Sequence, residues 1–326
     1  MRFVCLSAFM LLILWPAGRL SAEWPEQALT LVSSIPESLP WSEEPTPQAR
    51  ILRALVPRLS RELGVPVALS GQAEGQGVLA ANRVALARPD GYLLGALSAD
   101  SAISLVIQGY TPYTWNEIAP VATAWRPVMA LVGRADLQAD DLQGLAALAK
   151  KGRLRLAHQG LEPVGSAALL ALEAVRAAGF QLLSVQVELN DPALLLEGRA
   201  DLMVLPLGWL PLHPRASELK VLAVLTADDR APCLAGRQAP AARDLKFNEH
   251  PVFAFYLPAK VNRRTRSRLS TALGNALRQP ALAAQLREGC LIPHREDLEG
   301  VEAVMNQEYR AQEAELSRLT AEAEVR

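Results

Sequence analysis

Short apolar runs alternate with stretches of helical period along most of this chain. That alternation restricts it to an α/β architecture in which successive strands pair mainly in parallel. The first unit shows the pattern. Ala28–Ser34 reads ALTLVSS, an apolar run suited to a strand. Ile51, Leu52, Leu55, Leu59 and Leu63 then recur at helical spacing, and Gly64 stands where a helix C-cap belongs. Between them, Ile35–Gln48 carries Pro36, Pro40, Pro45 and Pro47 and reads as a loop. In an α/β domain such a loop lies beside the helix N-terminus, where anionic ligands bind.

The same reading predicts strands at Val65–Leu69, Tyr92–Leu97, Leu154–Ala157, Val185–Leu189, Leu202–Leu205, Val221–Leu225 and Val252–Leu257. Val121–Val132 is long enough to pass from one body to another, and 226–249 is polar and loop-like. The middle third therefore reads as an insertion. We expect two lobes, 23–124 with 249–326 and 125–248, joined by hinge strands near Thr123–Pro127 and Phe247–Phe255. Such a layout suits closure on a ligand.

The amino end reads as an export signal spanning residues 1–22. Arg2 precedes the apolar run Phe3–Trp15, and Ser21-Ala22 offers a small-residue cleavage site. The alternative is a retained membrane anchor. Cys5 precedes most of the apolar run, which disfavours a lipoprotein site. A net charge of -1 and 5% aromatic residues exclude a nucleic-acid partner as the leading reading. An exported compartment permits a disulfide, and Cys233 and Cys290 are its candidates, bonded or free. The histidines His158, His213, His250 and His294 are scattered, without metal-ligand spacing. VGSAA around Ser166 lacks the second glycine of a nucleophile elbow, and no phosphate loop occurs. No cofactor and no enzymatic activity are expected.

Several segments, in order, resemble one family. They are WPEQALTLV at Trp24–Val32, VPRLSRELGVPV at Val56–Val67, ARPDGYLLG at Ala87–Gly95 and YTWNEIAPVA at Tyr113–Ala122. The likeness continues through Asp141–Ala157, Gly165–Gly179 and Leu219–Pro232. Together they are similar to the periplasmic solute-binding subunits of tripartite tricarboxylate transporters, the Bug proteins. The resemblance implies a two-lobed periplasmic-binding-protein-like fold with mostly parallel sheets. It implies a small carboxylate held between the lobes by backbone amides and hydroxyls, and membrane permease subunits as partners.

The family's first loop, a Pro followed by several Gly and an Asp, is replaced here by SSIPESLPWSEEPTPQAR, with Glu37, Glu43 and Glu44 and no glycine. Ser33 and Ser34 remain in this stretch as hydrogen-bond donors for a ligand, against the reading of it as a solvated surface loop unrelated to binding. Gly75 and Gly77 belong to a Gly-rich turn that lines the family's cleft, or form a plain strand–helix turn. Ser98 and Ser101 face a ligand or simply cap a helix. In the second lobe the candidates are His158, Gln159, Gly165, Ser166, Asn190 and Asp191, with Pro206–Trp209 near another cleft segment. Ser166 aligns with a serine of the family's Thr-Ser-Ser helix start and is the foremost of these, although a bare N-cap needs no ligand. The rival to carboxylate capture is a degenerate module with a non-carboxylate ligand or a sensor or accessory role. The acidic, glycine-free first loop favours that rival.

Overall fold

The computed structural model describes residues 24–152, 154–158, 182–186, 191–225 and 252–324. They form two sheets, each with helices packed against it, and these are the two lobes. The first sheet has the order β11-β4-β10-β3-β1-β2, and the second β7-β6-β8-β5-β9.

In the first sheet, β1 (Leu29–Ser33) lies between β2 (Val67–Gly71) and β3 (Leu93–Leu97), parallel to both. The helix α1 (Pro47–Leu63) crosses from β1 to β2. Its buried Ile51, Leu52, Leu55, Leu59 and Leu63 are the predicted stripe. The Oγ of buried Thr46 accepts from the Ala49 N–H at the start of α1. Gly64 closes the helix at φ 75°, donating to the Ser60 carbonyl. The helix α2 (Val78–Ala85) leads into β3. After β3 the chain winds one π-helical stretch, Asp100–Ser104, into the short α3 (Leu105–Ile107).

β4 (Ile118–Pro127) and β10 (Phe253–Pro258) pair antiparallel in the first sheet, and β10 also runs antiparallel to β3. After Val128 the chain continues as β5 (Met129–Arg134) in the second sheet. There α4 (Leu142–Ala149) precedes β6 (Leu154–His158), which is parallel to β7 (Leu182–Gln186) and β8 (Leu202–Pro206). β5 runs antiparallel to β8 and to β9 (Leu219–Leu225). The short α5 (Ala193–Leu196) precedes β8. After β10 follow α6 (Arg263–Leu277), α7 (Pro280–Glu288), β11 (Leu291–Pro293) and the long α8 (Leu298–Glu324).

The expected α/β class therefore holds, but both sheets are mixed. Parallel pairing is confined to the β–α–β portions. The strands that join the lobes must enter one sheet and leave toward the other, so they run antiparallel to their neighbours. A further difference is β11, which pairs with the end of β4 and has no counterpart in the sequence reading; three residues carry too little period to be seen.

The core is split between the faces of each sheet. Trp125 and Phe253 stack at 4.3 Å on the face of the first sheet that α1, α6 and α7 cover. On the other face Tyr256, Ile103 and Val84 pack with Val301 and Met305 of α8. In the second lobe, Leu131, Val204 and Leu222 pack under α4, and Val132, Met203 and Leu195 fill the opposite face. Among the described residues no helix is long and apolar enough to cross a membrane.

Candidate functional site

At the carboxyl ends of β1, β2 and β3, three loops meet at one point. The backbone N–H of Ser34 donates to the Ala96 carbonyl at 3.1 Å. Its Oγ accepts from the Ser98 N–H at 3.0 Å. The Ser98 Oγ accepts from the Ser101 N–H at 3.2 Å, and the two hydroxyls share a hydrogen bond of 2.6 Å. Gly77 completes the cluster. It adopts φ 83°, and a methyl there would fall 2.4 Å from the Ser34 Cβ and 2.7 Å from the Ser101 Oγ. Only glycine fits both the turn and the space.

Four of the predicted residues, Ser34, Gly77, Ser98 and Ser101, are thus brought together. Their hydroxyls are partly occupied by one another, so the cluster is first a brace that fixes the three loops. Gly77 gives α2 no side-chain cap. The positive end of that helix opens beside the serines, an arrangement that favours an anion. Ser33 and Gly75 do different work. The Ser33 Oγ accepts from the Ile35 N–H at 3.0 Å, and Gly75 at φ 58° lies against Val78.

In the second lobe, His158 ends β6, in register with Gln186 of β7. Asp191 caps α5, its Oδ1 accepting from the Ala193 N–H at 2.8 Å. Gln159, Gly165, Ser166, Asn190 and Cys233 lie outside the described residues. Cys290 is described: it is nearly buried, has φ 55° and is disulfide-bonded. Among the described residues no cluster of His, Cys, Asp or Glu is arranged to hold a metal.

The first loop departs most from expectation. Its backbone folds back on itself: the Thr46 Oγ donates to the Pro36 carbonyl, the Thr46 N–H donates to the Glu37 carbonyl, and Ser38 bridges Pro45. Glu37 is paired with Arg53 at 2.5 Å, so one of the three acidic side chains is neutralised on its own lobe. The loop is not a free solvated segment, because it reaches the second lobe. Trp41 packs on His213, ring centroids 6.0 Å apart. The Trp209 Nε1–H donates to the Gln48 Oε1 at 3.0 Å. Burial lowers the pKa of His213; Asp191 and Glu218 oppose that shift and Arg215 adds to it. The resemblance puts Pro206–Trp209 near the cleft, but the sequence carries no local signal for the Trp209 partner Gln48, 161 residues away in the chain.

Residues 51–317 match the model of the tripartite tricarboxylate transporter family receptor. A UPF0065 protein of Agrobacterium vitis is 25% identical over 285 residues, covering 85% of this chain and 81% of that protein. The BugT protein of Bordetella pertussis is 30% identical over 184 residues, 54% of this chain and 56% of BugT. A UPF0065 protein of Bordetella bronchiseptica is 27% identical over 179 residues, 54% of this chain and 53% of that protein. The matched region thus spans about half the length of the two Bordetella relatives. Among solved structures, MatC of Rhodopseudomonas palustris with bound malate superposes with a TM-score of 0.70 at 21% identity, covering 90% of this chain and 100% of MatC. A second R. palustris protein, with adipate, gives 0.72 at 21%, covering 91% and 98%. At these identities the likeness concerns the fold. The family match spans both lobes and includes the serine and glycine loops after β2 and β3, and on that ground the chain belongs to the receptor family of the tripartite tricarboxylate transporters.

Proposed function

We propose that this chain is an exported, non-catalytic receptor that captures a small carboxylate between its lobes and delivers it to membrane permease subunits. The observation that carries the reading is the convergence of Ser34, Gly77, Ser98 and Ser101 beside the start of α2, which carries no side-chain cap. A carboxylate there meets a helix N-terminus and hydroxyls rather than a competing basic side chain. Ser166, Gln159, Asn190 and His158 are proposed to contribute from the second lobe. The malate and adipate held by two proteins of the same fold support the ligand class. Residues 1–22 are proposed as the signal peptide, with 23–124 and 249–326 as one lobe and 125–248 as the other.

A second reading follows from the first loop. It has no glycine to approach a carboxylate, and it is committed to the second lobe through Trp41 and Gln48. A non-carboxylate ligand, or a sensor role, fits that loss. Thermal-shift titration of the mature protein separates the two. Ligand binding to the folded state alone raises stability by about 2.7 kcal/mol at a hundredfold excess over Kd. Malate, adipate and a tricarboxylate are expected to raise Tm in a saturable way. No rise with any carboxylate, together with a rise on adding amines or neutral solutes, favours the second reading.

A further inference from the structure

We infer that the first loop and the start of α1 form a clasp between the lobes, which holds them in the arrangement described and must open before they can separate. The inference does not depend on which ligand the cleft takes.

Three contacts converge on the 3-10 segment Leu207–Leu212 of the second lobe and on His213 just after it. Gln48, in the first turn of α1, accepts from the Trp209 indole N–H at 3.0 Å. Trp41, at the tip of the loop, packs on the buried His213 with the rings inclined by 56°. Gly208 lies against the turn between α7 and β11: a methyl on it would fall 2.3 Å from the Gly289 carbonyl oxygen and 3.3 Å from Pro47. The backbones of the two lobes touch there, with no room for a side chain.

The loop is built to deliver these groups. Thr46 ties its two ends together and caps α1, Leu39 is buried, and Glu37 is anchored to Arg53. A loop closed by its own hydrogen bonds loses little entropy when it docks. Trp41 and Gln48 are therefore presented as part of a rigid lobe, not as a mobile tail. Lobe separation breaks one hydrogen bond and one ring contact and exposes the Gly208–Gly289 contact. Each contact that exists in only one arrangement shifts the equilibrium toward it.

The test uses the full mature chain without ligand. In Trp41→Ala/Gln48→Ala, small-angle scattering is expected to show a larger radius of gyration. Amide exchange in 207–213 and in the first turn of α1 is expected to quicken by roughly ten-fold, the loss of one hydrogen bond and one aromatic contact. Glu43→Ala/Glu44→Ala, which alters exposed charges of the same loop, is expected to change neither. An unchanged radius and unchanged exchange in the double variant overturn the inference. Should that variant not fold, Gln48→Leu keeps a side chain of similar size and removes the acceptor of the Trp209 indole N–H. Faster exchange in 207–213 then supports the clasp, and wild-type exchange overturns it. None of these readouts involves a carboxylate, so they stand apart from the outcome of the thermal-shift titration.

Discussion

Gly77 shows how much one residue decides. At φ 83°, with Ser34 and Ser101 closer than a methyl permits, it cannot be replaced without moving two loops. Gly77→Ala is expected to cost about 2–4 kcal/mol, from the left-handed backbone and from overpacking together. It is also expected to abolish any ligand-dependent rise in Tm. Chemical unfolding and the thermal-shift assay check the two effects separately. A variant with wild-type stability would mean that the three loops are not braced there. The sequence exposed Gly77, Ser98 and Ser101 because turn glycines and helix-capping serines are locally encoded. It did not expose Trp41 or His213, since a ring contact across 172 residues leaves no local trace.

Single elements were legible where their termini carry chemistry. Gly64 ends α1, Asp141 caps α4 through the Gly144 N–H, and Asn262 caps α6 through the Thr265 N–H. The apolar run Val121–Val132 reads as one strand, but it is two, broken at Val128 where the chain changes sheets. Arg126-Pro127, which interrupts the apolar run just before Val128, marks the place. Between elements, Arg155 in β6 is locked to Asp201 at the entrance to β8. The Arg155 guanidinium donates to both carboxylate oxygens at 2.9 and 3.0 Å, and its N–H donates at 2.8 Å. Burial alone would raise the Asp201 pKa, but the bonds from Arg155 outweigh it and hold the carboxyl below its usual range. A depressed carboxylate stabilises the fold above the unfolded pKa of about 4, and that stability is lost as the pH falls through the folded value. Asp201→Asn is expected to cost about 1–3 kcal/mol at pH 7. The gap to wild type should narrow as unfolding is measured from pH 5 downward; a gap independent of pH would assign the cost to packing instead.

At the scale of the whole molecule, the lobes are joined through backbone at Val128 and through the clasp, which begins beside that crossing: the Leu207 N–H donates to the Val128 carbonyl at 2.8 Å. Cys290 sits between these connections. Its carbonyl accepts from the Val128 N–H at 2.9 Å, where the chain leaves the first sheet, and its side chain packs in the core of the second lobe. The residue is disulfide-bonded, and we propose Cys233 as its partner. That bond would close a loop of about 58 residues containing β10, α6 and α7, and constraining it in the unfolded chain is worth about 4 kcal/mol. Peptide mapping under non-reducing conditions is expected to recover Cys233 and Cys290 in one linked fragment. Reduction, or Cys233→Ser, is expected to lower Tm. Because the bond ends where the lobes meet, its removal should also quicken exchange at 207–213 more than in the middle of β1, which lies deep in the first lobe. A uniform change across both regions would show that the disulfide acts on the unfolded chain alone and takes no part in holding the lobes together.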